Sequence, residues 1–208
     1  MVDAVAGSIE RGAGEHGRRS GRLDAATRGR APGSAPPPPQ AGQLCVTVVW
    51  QPAYIGLGSN LSDPAAQVRH AVQSLAGLRG TLRVAVSPLY GSRPLGPVNQ
   101  PDFVNAVAGL LTQLTALELL RELRALEAQA GRPEVHEHWG PRLIDLDLLV
   151  FGRERCSGSE LVLPHPGVVA RNFVLYPLAD IAPELEVPGH GQVRELLSRV
   201  CADGVWAL

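Results

Sequence analysis

"RLIDLDLLVF", Arg142 to Phe151, reads as a strand that closes a βαββαβ order. Its ten residues are apolar enough to be buried, yet Asp145 and Asp147 sit among them two residues apart. Side chains alternate along a strand, so Ile144, Leu146, Leu148 and Val150 should share one face. Leu143, Asp145, Asp147, Leu149 and Phe151 should share the other. The first face suits packing under helices. The second places two carboxylates roughly 7 Å apart on one side. Such a pair raises its own pKa values unless a cation stands between them. On its own the D-x-D pattern fits an ordinary exposed edge. The apolar flanks and the preceding Trp139, Gly140, Pro141 and Arg142 favour a phosphate and metal site instead, because hard divalent ions take carboxylate and phosphate oxygens.

The elements before this strand supply the rest of the order. "LCVTVVWQPAYIGLG" (44–58) reads as a first strand interrupted by Pro52. "SDPAAQVRHAVQSLAGL" (62–78) reads as a helix capped by Ser62 or Asp63, with Val68, Val72 and Leu75 on its inner face. "TLRVAVSPLYGS" (81–92) and "DFVNAVAGLLT" (102–112) read as the second and third strands. Thr115 and Glu118 form a capping box before a second helix whose stripe is Leu119, Leu120, Leu123 and Leu126. A short helix near Pro177–Ala182 and another near Val193–Val200 follow. The expected fold is therefore α+β, ferredoxin-like, an antiparallel sheet with helices on one face plus a C-terminal extension. Residues 1–43, rich in Gly, Ala, Arg, Ser and Pro, have too few large apolar side chains to offset ordering and are expected to be a disordered tail before a domain spanning 44–208.

Composition excludes several functions. All 19 basic residues of the 208 are arginine, so a phosphate loop built on lysine and Schiff-base chemistry are both ruled out. The net charge of -1 gives no field that would draw in nucleic acid or a membrane surface, and neither partner is expected. No apolar run approaches the roughly 20 residues of a membrane helix. Cys45, Cys156 and Cys201 are odd in number and far apart, which fits reduced thiols in the cytoplasm. "GLGSN" (56–60) fails as a dinucleotide fingerprint, since the third glycine would fall on Leu61. His136 and His138 have no further ligand near them for zinc.

Two further clusters carry chemistry. "LPHPGVVARNFVLYPL" (163–178) sets His165 between prolines and Arg171 two residues before Phe173, the cationic contacts that a chain without lysine must use for phosphate. "GSRPLGPVNQPDFVNAV" (91–107) runs a Gly/Pro-rich loop into a strand bearing Phe103 and Asn105. An aromatic face beside an amide suits a flat heterocycle, although each residue alone would more simply be core or a turn cap.

In this order, "AYIGLGSNL", "RPLGPVNQPDFVNAV", "LEAQAGR", "HWGPRLIDLDLLVFG", "LPHPGVVARNFVLYPL" and "IAPEL" resemble the 6-hydroxymethyl-7,8-dihydropterin pyrophosphokinases of folate biosynthesis, over about residues 53–200. That resemblance implies a transferase that moves pyrophosphate from ATP to the pterin hydroxymethyl group and releases AMP. It implies two Mg²⁺ ions on Asp145 and Asp147, and catalytic arginines at Arg132 and Arg142. It implies ATP contacts from Glu127, Arg132, Arg142, His165 and Arg171. For the pterin it implies stacking by Phe103 and Phe173, edge reading by Asn105, a mobile loop with Ser92, Pro94, Leu95 and Gly96, and a closing loop with Trp139. It implies a monomer that needs only its two substrates.

The chain departs from the family at Phe103, where tyrosine is common, and in "GRPEVHEHWG" (131–140), where Glu134 and His138 replace more basic residues. The competing readings are an inactive binding module on the same fold and an RNA-binding domain. Aromatic residues at 4% and the absence of lysine disfavour the second. Deleting residues 1–43 should leave thermal stability and turnover nearly unchanged; a large loss in a melting curve would show that the tail docks on the domain.

Overall fold

A computed structural model describes residues 49–95, 99–131 and 140–208. The expected tail (1–43), Gly96, Arg132, Glu134, His136, His138 and Trp139 lie outside the described residues. The central strand β1 (Gln51–Ser59) is followed by helix α1 (Pro64–Leu75), strands β2 (Thr81–Val86), β3 (Tyr90–Ser92) and β4 (Phe103–Thr112), helix α2 (Ala116–Gln129) and strand β5 (Asp145–Phe151). After it come two small hairpins, β6 (Cys156–Ser157) with β7 (Val162–Leu163) and β8 (Glu186–Val187) with β9 (Gly191–Gln192). A 3-10 turn (Pro166–Val169), α3 (Asn172–Ile181), α4 (Val193–Leu197) and β10 (Val205–Ala207) complete the chain. The main sheet runs β10-β3-β4-β1-β5, with β2 also on β4, and all its pairings are antiparallel.

The βαββαβ expectation therefore holds, with local corrections. The expected second strand splits into β2 and β3 at Pro88, which has no N–H to continue a ladder. Ser87 bridges the break: its N–H donates to Val107 O at 2.9 Å and its Oγ accepts from Val107 N at 2.9 Å. Pro52 does not interrupt β1, because it sits near the strand's start, opposite Leu111. β5 begins at Asp145, three residues later than expected. α3 begins at Asn172, and Pro177 lies inside it rather than at its first turn. α4 stops at Leu197, short of Val200.

Two cores sandwich the sheet. Ala53, Ile55 and Leu57 of β1, and Ala106, Ala108 and Leu110 of β4, face Val68, Ala71 and Leu75 of α1 and Leu119 and Leu123 of α2. Alanine at three sheet positions lets the helices approach closely, and the leucines fill the space between. Val72 and Leu126 pack at the margin of this core. Of the two candidate caps of α1, Asp63 is used: its Oδ1 accepts from Ala66 N at 3.0 Å, with Pro64 in the first turn. The capping box of α2 forms as expected, Thr115 N donating to Glu118 Oε2 at 2.8 Å.

On the other side, Val107, Leu149 and Val150 pack against Val168 and the α3 residues Val174, Leu175 and Leu178, with Val193 and Leu196 of α4 behind. Strict alternation in β5 fails here. Phe151 joins Ile144, Leu146 and Leu148 in the first core, and Val150 joins Leu149 in the second. The cause is a register shift: Ile55 faces Leu148 while Tyr54 faces Val150, so Leu149 is an extra residue on β5. A bulge re-aims the side chains that follow it. Asp145 and Asp147 lie before the bulge and keep the shared face that alternation assigns them.

Candidate active site

The second face of the sheet is not covered along its whole length. Towards one end, an open cavity of about 270 Å³ separates the sheet from the 3-10 turn and the start of α3. β1 contributes Gly56 and Gly58 to it, β4 contributes Phe103 and Asn105, and β5 contributes Asp145, Asp147 and Leu149. Ser92, Arg93, Leu95 and Gln100 line one side, and Arg142, His165, Arg171 and Phe173 the other. The two glycines are two residues apart and point their missing side chains at this space. A Cβ on Gly58 would lie 3.3 Å from Asn105 Oδ1, and one on Gly56 3.3 Å from Leu149. The central strand thus forms a floor of bare backbone on which a ligand can lie close. Sequence reading dismissed "GLGSN" as a failed dinucleotide motif. Two glycines at strand period were the signal for this floor.

At the acidic end, Arg142 Nη1 lies 2.7 Å from Asp145 Oδ2, with 19% and 25% of the two side chains exposed. This is a partly desolvated, charge-assisted bond and stronger than a surface pair. Asp147 has a weaker partner: His165 Nε2 is 3.8 Å from its Oδ1, too far for a hydrogen bond. Burial, and then the neighbouring Asp145 carboxylate, push Asp147 above the usual carboxylate range, against the pull of His165, Arg171 and Arg142. His165 Nδ1 accepts from Gly167 N at 3.0 Å, which leaves Nε2 to carry the proton of the neutral ring, towards Asp147. Arg171 folds back over Gly167, where a Cβ would lie 2.6 Å from Arg171 Nε, and its guanidinium carbon is 5.9 Å from the centre of the Phe173 ring. Only glycine at 167 leaves the guanidinium this path.

At the other end, Asn105 Nδ2 donates to Ser92 Oγ at 2.9 Å, and Asn105 is 6% exposed. The ends are joined by a residue that sequence reading did not single out. Asn60, 1% exposed, follows β1 directly. Its Nδ2 donates to Gln100 Oε1 and to Pro101 O, each at 3.1 Å, and its Oδ1 accepts from Arg142 N at 2.8 Å. The backbone N–H of Asn60 donates to Arg142 O at 3.2 Å.

Of the expected site residues, Ser92, Leu95, Phe103, Asn105, Arg142, Asp145, Asp147, His165, Arg171 and Phe173 meet around this cavity. Pro94 is half-buried beside it and does not line it. Glu127, the expected nucleotide contact, does not line this cavity. It is 6% exposed on the helix side, and its Oε1 accepts from Leu146 N at 2.8 Å, between the two aspartates. Gly96, Arg132 and Trp139 lie outside the described residues.

The profile of the 7,8-dihydro-6-hydroxymethylpterin-pyrophosphokinase (HPPK) family matches residues 54–183. The chain belongs to this family. A 2-amino-4-hydroxy-6-hydroxymethyldihydropteridine pyrophosphokinase of Pseudomonas aeruginosa is 47% identical over 155 residues, which cover 74% of this chain and 95% of that one. The Haemophilus influenzae enzyme of the same name is 42% identical over 147 residues, 71% of this chain and 91% of that one. Among solved structures, Plasmodium falciparum HPPK-DHPS with pteroate aligns with a TM-score of 0.57 at 14% identity, over 73% of this chain and 42% of that one. Its triple mutant with SDX-DHP aligns with a TM-score of 0.58 at 15% identity, over 74% of this chain and 45% of that one. This chain spans under half the length of those two, and at such identities the likeness shows the HPPK fold alone.

The glycine under Arg171 makes a test of this HPPK site. Gly167→Ala should displace the guanidinium, the far end of a flexible side chain, while leaving the fold intact. The KM for the phosphate-bearing substrate should rise severalfold with a nearly unchanged melting temperature. An unchanged KM would remove Arg171 from phosphate binding.

Proposed function

We propose that this chain transfers the terminal pyrophosphoryl group of ATP to the hydroxymethyl oxygen of 6-hydroxymethyl-7,8-dihydropterin, releasing AMP, as a step of folate biosynthesis. The observation that carries the proposal is one cavity that gathers arginine and histidine side chains, two carboxylates, two aromatic rings and an amide over a glycine floor. In this reading Arg142, His165 and Arg171 serve the triphosphate, and Phe103, Phe173 and Asn105 serve the ring. An inactive binding module has no physical need to keep two carboxylates at the base of such a cavity, one of them with a raised pKa.

The residues divide the work by position. Phe103 and Phe173 bound the space for a pterin ring, which stacking holds by its faces. Asn105, its Nδ2 fixed by Ser92, turns its Oδ1 over Gly58 to accept from N–H groups on the ring edge. Arg171 and His165 receive the triphosphate, and Arg142 disperses charge as the bond between the β-phosphorus and the bridging oxygen breaks. That oxygen leaves with AMP, the pterin oxygen takes its place in line, and the hydroxyl proton is released. Holding the two reactants together supplies most of the acceleration, since phosphoryl chemistry asks for placement and charge dispersal more than for a covalent intermediate. Glu127 acts through the backbone: by accepting from Leu146 N it fixes the outer edge of β5 between the aspartates.

Asp145 and Asp147 fit divalent cations, and two Mg²⁺ ions bound there with the triphosphate would neutralise phosphate charge and polarise the reacting phosphorus. The fit rests on the donor set, two carboxylates on one face of β5 that both line the cavity, with Asp147 pushed above the usual carboxylate range by burial and then by Asp145. Among the described residues no group of three or more His, Cys, Asp and Glu side chains could hold a metal, so the remaining oxygens would come from substrate and water. No helix among the described residues is long and apolar enough to cross a membrane. The chain acts as a cytoplasmic monomer in this reading.

Protein incubated with ATP, Mg²⁺ and the hydroxymethyl-dihydropterin should release AMP in step with the pterin diphosphate ester; chromatography showing no AMP would overturn the assignment. Asp147→Asn should lower turnover by orders of magnitude. The folded state holds the Asp147 proton more tightly than the unfolded chain does. The ionised carboxylate therefore destabilises the metal-free protein above its raised pKa, and that penalty fades as pH falls through it. Metal-free Asp147→Asn should accordingly melt no lower than wild type near neutral pH, and Mg²⁺ with a nucleotide analogue should stabilise the variant less than the wild type. A variant that matches the wild type in turnover and in metal response would remove Asp147 as a ligand.

A further inference from the structure

The C-terminal segment touches both sides of the ring end of the cavity without lining it. Asn172, at the first turn of α3 between Arg171 and Phe173, donates from Nδ2 to Cys201 O and to Asp203 O, each at 2.9 Å. Its Oδ1 accepts from Phe173 N at 2.8 Å. Gly204 then turns the chain at a φ of 73°, which favours glycine, and its carbonyl accepts from Arg93 N at 2.9 Å. β10 pairs with β3, Val205 opposite Ser92 and Trp206 opposite Gly91, and Leu208 N donates to Leu89 O at 3.0 Å. The Trp206 indole lies flat on Gly91, where a Cβ would be 2.2 Å from the ring. On its far side β3 pairs with β4, Ser92 opposite Phe103.

These contacts form a continuous path of bonds. Phe173 is tied to Asn172, Asn172 to residues 201–203, those residues through β10 to Ser92 and Arg93, and Ser92 to Phe103 and Asn105. The two aromatic walls sit on separate elements, and this hook joins them at the cavity end. At the opposite end a second tie joins β3 to α3, Tyr90 Oη donating to Asp180 Oδ2 at 2.7 Å. Tyr90 and Tyr176 also pack there with ring centres 6.2 Å apart. Without the hook, α3 would stay packed on β4 through Val107, Val174 and Leu175 and tied to β3 at Tyr90, but its first turn, which carries Phe173, would lose its bonds to the β3 side of the cavity.

We propose that the hook, residues 201–207, is a positioning element for ring binding, and that Asn172 is its anchor. The proposal rests on reading the Phe103–Phe173 end as the pterin site. Neither Asn172 nor Trp206 lines the cavity, so both act through other residues. A change there should alter how well the ring is held and leave Asp145, Asp147 and His165 in place, while Arg171, next to Asn172, keeps its own seat over Gly167.

Three variants test this in the full enzyme: Asn172→Asp, Asn172→Ala, and a chain ending at Asp203. Asn172→Asp keeps the acceptor for Phe173 N, loses the two donors to the hook and sets a carboxylate oxygen against the Cys201 and Asp203 carbonyls; Asn172→Ala loses the donors without adding that charge. Each should raise the KM for the pterin about tenfold, as expected for two partly exposed hydrogen bonds. The KM for ATP and the kcat at saturation should change less than about twofold, the range left by weak coupling between separated sites. Hydrogen exchange at the Arg93 amide, bonded to the hook, should speed up in all three. A pterin KM equal to wild type in Asn172→Asp and in the shortened chain overturns the proposal. So does an equal rise in both KM values, which would mean general loosening. If the shortened chain fails to fold, Asn172→Asp decides. If the wild type neither binds nor turns over the pterin, the pterin reading falls and takes this proposal with it; normal wild-type turnover with unaffected variants removes the hook alone.

Discussion

The site depends first on the satisfaction of one buried amide. Asn60 ends the central strand at 1% exposure, and both N–H groups and the carbonyl of its side chain are used. The partners belong to two different approaches to the cavity: Gln100 and Pro101 lead into β4, and Arg142 leads into β5. A buried polar group left unpaired costs about 1–3 kcal/mol, so the two approaches cannot drift apart independently. The same residue thereby fixes the backbone at Arg142, and with it the direction from which the guanidinium reaches Asp145. Phosphate end and ring end are held in register by a side chain that need touch neither substrate.

Given that joint, the sheet explains why binding and stability do not compete for the same residues. β1 and β4 place Ile55, Leu57, Ala106, Ala108 and Leu110 towards α1 and α2, where they are almost fully buried. The opposite positions, Gly56, Gly58, Phe103 and Asn105, are then available for a ligand. Period-two alternation separates the two tasks along the same strands. The extension behind Phe151 closes the far half of the second face with α3 and α4, so the cavity is the portion left uncovered. The bulge at Leu149 marks the border: before it β5 carries acids into the cavity, after it β5 carries Leu149 and Val150 into the second core.

The two motifs differ in how far sequence alone could carry them. Alternation placed Asp145 and Asp147 on one face because the signal is local and the strand is regular there. It misplaced Val150 and Phe151 because a bulge arises from pairing with β1, which no local pattern reports. Pro88 was visible as a residue without a donor, yet its effect, the division of one strand into two, depends on where β4 offers acceptors. Asn60 and Asn172 were passed over for a related reason. A single asparagine in sequence is a turn residue by default, and only long-range partners such as Arg142, Gln100, Cys201 and Asp203 reveal these two as joints. Gly167 likewise looks like an ordinary turn glycine until Arg171 is seen lying across it.

The ion pair at the phosphate end carries a consequence for binding order. Arg142 and Asp145 hold each other at 2.7 Å, so in the free protein the arginine proposed for phosphate and the acid proposed for a cation neutralise one another. Each can serve a substrate only by releasing the other. A phosphate group arriving alone would take Arg142 from Asp145, beside Asp147, whose pKa burial and then that neighbour already raise. A cation arriving alone would strand the Arg142 charge in a partly buried position. Removing one partner of a desolvated pair is costly, whereas exchanging both at once keeps every charge matched. On the proposed roles, the geometry therefore favours the joint arrival of cation and triphosphate over either alone.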